Sequence, residues 1–294
     1  MDRPHVPSAR SPPKSIMAEL PEVETMRRDL EREVAGRRIV STRIAQTRML
    51  GGQSPEELTR RTDGVIIRAV SRRGKFLLLH LAPSDTLLVH RGMTGNLFLR
   101  DPSDVEDAHL HVGLTLDDGR EVRVCDHRGF GEVRVLAEAE VDALRARLGP
   151  EPLRPEFTAD YLTGQLARRT ALVKALLLNQ NLVAGLGNIY VDEALWTARI
   201  HPARRANTLG PIHVGALHAA IVDVLSESVV RRGTTFSDYK DLYGRPGGHS
   251  SFLRVFHRYG EPCLRCHAPI QRIVAAGRGS SICPVCQTLA APEC

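Results

Sequence analysis

The hydrophobic and polar positions change their period twice along the chain. From Pro21 to Gly36 apolar residues recur every three to four positions, which predicts a helix with one buried face. Between Ile39 and about Leu136 the period becomes two, which predicts short antiparallel strands. After Gly149 the helical period returns. This order predicts an α+β chain in which a β-sandwich with flanking helices precedes a helical region.

Local signals divide both regions further. Asp118 and Gly119 predict a tight turn between two alternating strands, and the apolar stretches at 76–81 and 87–99 predict further strands. Three helices are predicted in the second half, at 171–181, 188–198 and 211–230, with Asn188 as the cap of the second. The Gly-, Ser- and Thr-rich stretch at 233–251 predicts a long loop, and such loops often act as lids.

The beginning of the sequence predicts no packed structure. Residues 1–17 are rich in proline, serine and basic residues and lack the apolar segment of a signal peptide, so we expect a disordered leader. No apolar run approaches the ~18–20 residues of a membrane span, so no membrane partner is expected. We therefore expect a soluble, cytoplasmic protein.

Composition narrows the choice of partner. With 294 residues, 42% hydrophobic and 25% charged, the chain is an ordinary globular protein of about two domains. A formal net charge of +6 is compatible with a polyanionic partner, whereas an aromatic content of 4% argues against a stacking surface for single strands. Lysine, unlike arginine, can change its protonation state in catalysis. Only four of the forty basic residues are lysine: Lys14, Lys75, Lys174 and Lys240.

Four of the six cysteines form a metal-binding pattern. Cys263 with Cys266 and Cys283 with Cys286 make two C-x2-C pairs at the spacing of a zinc ribbon. Each pair presents two thiolates on one turn, and two pairs complete a tetrahedron around Zn²⁺. Because protein fills all four positions, we predict one structural zinc ion. Two disulfides are the alternative, although nothing in the sequence indicates an oxidising compartment.

A set of motifs over nearly the whole chain resembles one enzyme family. They are MAELPEVETMRRDLE at 17–31, RRGKFLLL at 72–79, HRGMTGNL at 90–97, DHRGFG at 126–131, LGPEPL at 148–153, GLGNIYVDEAL at 185–195, GTTFSDY at 233–239 and GRGSSICPVCQ at 277–287. In this order they resemble the bacterial formamidopyrimidine-DNA glycosylases. The resemblance implies a base-excision repair enzyme that removes 8-oxoguanine and formamidopyrimidines from duplex DNA and then cuts the strand by β,δ-elimination.

The resemblance also implies which group attacks the sugar. In the family it is the amine of an N-terminal proline, exposed when the initiator methionine is removed, and here that position holds Ala18 after Met17. A primary amine can form the required imine, and an α-amino pKa of ~7.7–8 leaves a neutral fraction at physiological pH. The residues before Met17 would make the Ala18 nitrogen an amide. We therefore favour a start at Met17 with removal of that methionine.

Three further residues match catalytic positions of the family. Glu19 corresponds to the general acid/base beside the nucleophile, and Lys75 to a lysine that contacts the phosphate and sugar of the lesion and aids proton transfer. Arg278, between the cysteine pairs, corresponds to an arginine that holds phosphates of the everted nucleotide and assists the second elimination. From local sequence alone, Glu19 is equally consistent with a solvated helix start and Arg278 with an ordinary surface residue.

Seven residues match DNA contacts of the family. Met93, Arg128 and Phe130 correspond to the residues that fill the gap left by the everted base and contact the orphaned cytosine. Burial statistics alone would place Met93 and Phe130 in a core. Lys174 and Asn188 correspond to residues that contact the DNA backbone beside the lesion. His109 and Arg169 correspond to further DNA contacts.

The resemblance implies four structured parts in a monomer that binds duplex DNA with oxidised bases. They are a catalytic β-sandwich domain at 18–140, a helix–two-turns–helix DNA-binding domain at 150–232, a flexible lesion-capping loop at 233–253 and a zinc-finger domain at 254–294.

Other functions are also compatible with the motifs. An endonuclease-eight-like enzyme shares the fold and mechanism but prefers oxidised pyrimidines, whereas the Met93, Arg128 and Phe130 set favours purines. Ala18 and the leader are compatible with a homologue that binds damaged DNA without lyase activity. A zinc-ribbon transcription factor would account for none of the motifs before residue 250.

Overall fold

Eight strands form the N-terminal part of the computed structural model, which describes residues 17–289. They are β1 (Ile39–Ile44), β2 (Ile67–Arg73), β3 (Phe76–Leu81), β4 (Thr86–His90), β5 (Asn96–Arg100), β6 (Leu110–Leu116), β7 (Glu121–Cys125) and β8 (Glu132–Leu136). One antiparallel sheet has the order β1-β6-β7-β5 and the other the order β2-β3-β4-β8. The predicted β-sandwich is confirmed. The predicted leader lies, apart from Met17, outside the described residues.

The alternating apolar residues fill the space between the two sheets. Leu77 and Leu79 of β3, Val112 of β6 and Val124 of β7 belong to one buried cluster. Gly119 makes the predicted turn between β6 and β7 with a φ of +85°, which a residue without Cβ adopts at little cost. The apolar stretch at 87–99 is divided between β4 and β5 by a turn at residues 91–95.

The first helix joins the sandwich to the helical region. It is α1 (Leu20–Val34), as the helical period predicts, and Pro21 lies in its first turn. Val23 and Met26 pack in the sandwich cluster, while Leu20 packs in the cluster of the later helices. Because α1 contributes to both cores, residues at its start lie where the two halves of the protein meet.

Three short helices go beyond the elements that the periodicity predicts. They are α2 (Pro55–Thr62), α3 (Glu138–Arg147) and α4 (Ala159–Ala167). Ser54 and Thr158 cap α2 and α4 by accepting a hydrogen bond from the backbone N–H three residues later. Both cap signals are visible in the sequence, but the helices are too short to establish a clear period of their own.

The helix predicted at 171–181 is much shorter in the structure. The observed α5 (Val173–Leu177) ends before Asn179, whose side-chain oxygen accepts a hydrogen bond from the N–H of Asn181 at 3.0 Å. Such local side-chain bonds compete with helix continuation. The next two helices, α6 (Asn188–Thr197) and α7 (Pro211–Val230), lie close to their predicted bounds.

Helix α7 is long and apolar enough to cross a membrane by length and composition, which differs from the prediction that no apolar stretch reaches that length. Its residues Val214, Leu217, Ile221 and Val224 nevertheless belong to the buried cluster of the helical region. The helix packs against α1, α4 and α6. It is therefore the central core helix of this region.

The last described elements form a small hairpin. Strands β9 (Gln271–Ala275) and β10 (Arg278–Ile282) pair antiparallel between the two cysteine pairs. The loop predicted at 233–253 contains a 3-10 helix at His249–Phe252 and places Leu242 in the sandwich core. Much of this stretch is therefore anchored to the protein.

Candidate active site and DNA interface

Glu19 is a buried carboxylate at the junction of the two halves. It accepts hydrogen bonds from the N–H of Ile189 at 2.8 Å and of Tyr190 at 3.3 Å, at the start of α6. Free N–H groups and the dipole of a helix N-terminus stabilise an anion there. Gly187 permits this approach, because a Cβ at that position would overlap the Glu19 carboxyl group.

The predicted capping role of Asn188 is therefore wrong. Asn188 is the first residue of α6, and the cap position is Gly187, which has no side chain to offer. The exposed N–H groups of the helix are taken by Glu19 from a distant part of the chain. The Asn188 side chain instead donates a hydrogen bond to the carbonyl of Gly279 at 3.1 Å.

Burial shifts the pKa values of Glu19 and Lys75 in opposite directions, and in both residues it favours the neutral form. Burial raises the pKa of Glu19 to about 7, against the opposing effect of the positive charge of Lys75. Burial also lowers the pKa of Lys75, while the charge of Glu19 acts in the opposite direction. Shifts of this kind, in a carboxyl and an amine close enough to interact, are typical of active sites.

Glu22 is a second buried carboxylate, and none of the sequence predictions assigned it a role in the site. It accepts hydrogen bonds from the N–H of Glu19 at 2.9 Å, the N–H of Thr234 at 2.7 Å and the hydroxyl of Tyr190 at 2.5 Å. Burial raises the pKa of Glu22. These bonds join α1, α6 and the first residues of the long loop into one unit.

Ala18 lies in an open cleft beside this unit. The cleft is lined by the residues before α1, by one residue each of α1 and α6, and by the long loop, namely Met17, Ala18, Glu22, Ile189, Thr234, Phe236, Ser237, Asp238 and Tyr239. The predicted nucleophile position and the predicted capping loop are thus brought together.

Arg278 approaches the same site from the hairpin. Its side chain is exposed at the start of β10, and its positive charge contributes to lowering the pKa values of Lys75 and Lys174. The hairpin backbone behind it is held by Asn188, by Lys174 and by Asp192, which accepts the N–H of Ser281 at 2.9 Å. A freely accessible guanidinium on a fixed turn suits phosphate binding.

Lys174 does not have the place predicted for a DNA contact. Its side chain is completely buried, and its ammonium lies 2.6 Å from Asp192 Oδ1. It also donates to the hydroxyl of Ser280 at 2.7 Å. A cation buried in this way needs a paired anion and full hydrogen bonding, which leaves no group of Lys174 facing open surface.

Met93, Arg128 and Phe130 lie on two turns at one edge of the sandwich. The Phe130 side chain is 50% exposed, which rules out the core position that burial statistics favour. The Arg128 guanidinium stacks on its ring, 4.6 Å from the centroid. Met93 is half-buried at the centre of the 91–95 turn.

The two remaining DNA-contact candidates are exposed but lie apart. The His109 ring is 6.1 Å from that of His127, which places it beside the turn of Arg128 and Phe130. Arg169 follows α4, and its side chain bonds to the carbonyl of Gln165. No described contact brings Arg169 to the cleft.

The four predicted zinc ligands converge on one point. The sulfur atoms of Cys263, Cys266, Cys283 and Cys286 all lie within 4.8 Å of one another. Backbone N–H groups point at two of them, from Arg265 to Cys263 Sγ at 3.5 Å and from Cys286 to Cys283 Sγ at 3.4 Å. Such bonds favour the thiolate form that binds Zn²⁺. The cluster fits one structural zinc ion with four protein ligands.

The zinc-binding part is docked on α6 by directed contacts. The Arg265 guanidinium stacks on Trp196 at 3.8 Å and donates to the carbonyls of Trp196 and Thr197. Glu193, fully buried, accepts the backbone N–H groups of residues 254–256. Helix α6 therefore carries both the anion site of Glu19 and the support of the hairpin.

A sandwich and a helical region that meet at a buried acid–amine pair, with a zinc-bound hairpin beside it, define a DNA glycosylase of the helix–two-turns–helix class. Three family models match consecutive parts of the chain. They are the formamidopyrimidine-DNA glycosylase N-terminal domain at 17–133, the formamidopyrimidine-DNA glycosylase H2TH domain at 148–240 and the zinc finger found in FPG and IleRS at 260–289. The chain belongs to the formamidopyrimidine-DNA glycosylase family.

Individual relatives match along nearly their full length. The formamidopyrimidine-DNA glycosylase of Herpetosiphon aurantiacus is 45% identical over 272 residues, which cover 92% of this chain and 100% of the relative. The formamidopyrimidine-DNA glycosylase of Symbiobacterium thermophilum is 48% identical over 274 residues, which cover 92% of this chain and 89% of the relative. The structure of Lactococcus lactis Fpg in complex with DNA containing an abasic site superposes with a TM-score of 0.87 at 36% identity. The match covers 92% of this chain and 100% of that structure.

These findings confirm the enzyme class, the DNA partner and the zinc ion predicted from the sequence. The protein is a DNA glycosylase and abasic-site lyase of DNA repair that acts on damaged DNA. The Lactococcus lactis enzyme bound to DNA with N7-benzyl-Fapy-dG is equally similar, with a TM-score of 0.86. Neither the endonuclease-eight-like alternative nor a zinc-ribbon transcription factor is favoured.

Proposed function

We propose that the protein excises 8-oxoguanine and formamidopyrimidines from duplex DNA and nicks the strand with Ala18 as nucleophile. The observation that carries this proposal is the position of Ala18 in the cleft beside Glu22 and the 234–239 loop. Glu19, with a pKa of about 7, is the next residue in the chain. A nucleophile and a carboxyl of this pKa meet the requirements of glycosidic cleavage through an imine.

Each proposed residue has a chemical task. The neutral amine of Ala18 attacks C1′ of the sugar, so that a C–N bond forms while the bond to the base breaks. The base leaves with the bonding electrons and takes up the proton that the attacking nitrogen loses. Protonated Glu19 gives its proton to the ring oxygen as the sugar opens to an imine. Lys75 passes protons and contacts the sugar phosphate. Arg278 binds the phosphate that departs in the second elimination.

DNA is held at the edge that carries the exposed turns. In this proposal Met93 and Phe130 occupy the gap left by the everted base, and Arg128 contacts the orphaned cytosine. His109 lies beside the same edge. Asn188 is assigned to the DNA backbone, and Arg169 to a further DNA contact. Lys174 acts indirectly, by holding the hairpin that carries Arg278.

We further propose that the protein works as a monomer in the bacterial cytoplasm, with catalytic, DNA-binding, capping and zinc-finger parts at 18–140, 150–232, 233–253 and 254–294. The matched ranges of the three family models support this division. The basic net charge of +6 supports association with nucleoid DNA.

The proposed nucleophile requires a free amine at Ala18. The first family model begins at residue 17, and 272 residues of this chain suffice to cover a whole relative. These matches support a mature protein that begins at Ala18 after removal of Met17. An amide nitrogen has a delocalised lone pair and forms no imine, so the longer form would lack the nucleophile.

Borohydride trapping tests this assignment. The form that begins at Met17 and loses that methionine is expected to form a covalent adduct with duplex DNA containing 8-oxoguanine. The form that begins at Met1 is expected to form none, and Ala18→Pro in the short form keeps the adduct. A parallel duplex with thymine glycol checks the lesion preference. If the intact long form traps DNA as well as the short one, Ala18 is not the nucleophile and Lys75 becomes the next amine to test.

A further inference from the structure

The loop beside the cleft is fastened to the sandwich by one side chain. Asn96, the first residue of β5, donates from Nδ2 to the carbonyl of Asp238 at 2.9 Å. Its Oδ1 accepts the N–H of Lys240 at 3.1 Å. The amide thus pairs with the loop backbone on both sides of Tyr239, as a neighbouring strand would. The 236–240 segment, which lines the cleft, is held at its end by this pairing.

Arg91 completes the attachment. Its side chain is only 3% exposed, and its guanidinium donates to Asn96 Oδ1 at 2.5 Å and to the carbonyl of Gly95 at 2.8 Å. The same guanidinium lies over the ring of Tyr239, 4.8 Å from its centroid. Arg91 therefore orients Asn96 and contacts the loop directly.

Arg91 and Asn96 are also the two ends of the turn that carries Met93. Gly95 allows the turn to close, since a Cβ there would overlap the carbonyl of Arg91. A change in the path of this turn that displaces Asn96 would also change its bonds to Asp238 and Lys240.

The other DNA-facing turn is joined to the same turn by a buried carboxylate. Asp126 accepts the hydroxyl of Thr94 and the N–H groups of Arg128 at 3.0 Å and Phe130 at 2.9 Å. Direct contacts thus run from Phe130 through Asp126 to the Met93 turn, and from there through Asn96 to the loop beside Ala18.

We propose that Asn96 and Arg91 are positioning residues that couple the Met93 turn to the loop segment 236–240, so that seating of the turn in DNA and closure over the everted base occur together. The contacts are short and continuous, and all except the Lys240 bond are at least partly buried. Chains of hydrogen bonds and packed side chains of this kind can carry coupling between two sites. The proposal rests on base excision as the proposed function. It adds two residues, neither in the cleft, that act on excision through the loop.

Asn96→Ala separates this role from simple stability. Loss of both loop bonds is expected to slow single-turnover excision of 8-oxoguanine about tenfold, the effect of one or two hydrogen bonds. Nicking of a preformed abasic site needs no loop over a base, so its rate should change by less than about threefold. Arg91→Lys keeps the charge but loses the planar fork and should show a smaller loss of the same kind.

Gln53 offers a matched control. Its side chain also pairs with both backbone groups of one residue, donating to the carbonyl of Val135 at 2.8 Å and accepting its N–H at 2.9 Å. Gln53→Ala removes an equivalent pair of bonds to β8, in the sheet that does not contain β5. Its unfolding temperature should fall as much as that of Asn96→Ala, whereas its excision rate should stay at the parent value.

A double-mutant cycle with Met93→Ala measures the coupling itself. If the turn and the loop act together, the double variant excises no more slowly than the slower single variant. The proposal would be overturned if the rate losses of the two single variants multiplied in the double variant. It would also be overturned if Asn96→Ala lost equal activity on the lesion and abasic substrates, or if its excision rate were unchanged. Absence of excision by the parent protein would instead contradict the proposed function.

Discussion

Glu19 receives its chemistry from residues far away in the chain. The two N–H groups that bind its carboxylate belong to α6, 170 and 171 positions later. The sequence motif identified Glu19 and its position near the start of a helix. The sequence did not predict the partner helix, the burial or the resulting pKa of about 7, because these arise only when α1 and α6 pack together.

Glu19→Gln tests the proton transfer at the scale of one residue. We expect base excision to fall by roughly 10²–10⁴-fold, the usual contribution of a general acid or base. Because burial raises the pKa of Glu19 to about 7, its protonated fraction decreases as the pH rises through 7. Excision by the parent protein should therefore decline above about pH 7. Single-turnover rates between pH 5 and about pH 9 would show this limb, which the variant should lack.

Glu24 provides the control on the same helix. Hydrogen bonds and charge from Arg27, Arg28 and Arg72 outweigh burial and lower the pKa of Glu24 to about 2. Glu24→Gln should therefore leave the limb near pH 7 in place. Persistence of that limb in Glu19→Gln would assign it to another group, with Lys75 the first candidate.

At the scale of elements, the sequence predicted long helices and strands well. It predicted poorly where side chains compete for backbone N–H groups and so end or cap a helix. Helix α7 and the strand alternation carry a strong period and were predicted near their observed bounds. Helix α5 ends early because Asn179 bonds its own neighbourhood, and Asn188 loses its predicted cap role to Glu19. Period alone does not report which side chain competes for a backbone N–H.

The site residues show the same division. Motif spacing correctly grouped the four cysteines with one another. It gave no indication that Lys174 is buried against Asp192, because a DNA contact and a buried ion pair both call for a lysine. Asp126 and Glu22 escaped notice, since a carboxylate that binds backbone N–H groups has no characteristic spacing.

The two exposed turns can be tested as elements. Met93→Ala and Phe130→Ala should each slow excision from duplex DNA and largely spare nicking at a preformed abasic site. Their proposed task is to replace an everted base, and an abasic site has no base to evert. Excision and nicking rates on matched duplexes would measure the difference.

Val40→Ala is a suitable comparison for this test. Val40 is 53% exposed, close to the 50% of Phe130, but it lies on β1 away from both turns. It should leave both rates unchanged. Equal losses on both substrates in Met93→Ala would indicate that the residue supports the fold rather than the everted state.

At the scale of the whole molecule, α6 links three parts that are separate in sequence. Its start binds Glu19 of the sandwich side, and its Asp192 and Glu193 bind the hairpin and the chain leading to it. Trp196 at its end stacks with Arg265 of the zinc-binding part. The hairpin carrying Arg278 is therefore placed by two supports, the contacts to α6 and the metal.

Zinc removal tests which support dominates. The core around the cysteines contains few apolar residues, chiefly Trp196, Val255 and Ile270, and a cluster of this size does not fold without a metal or disulfide. We therefore expect chelation to release the hairpin and abolish DNA binding, while the sandwich, with its own large core, stays folded. Metal analysis should give about one zinc per chain, lost in Cys283→Ser but kept in Cys125→Ser, whose cysteine is buried outside the cluster. If the chelated protein binds damaged duplex as tightly as before, the contacts to α6 suffice to place Arg278, and the metal is not needed for the DNA interface.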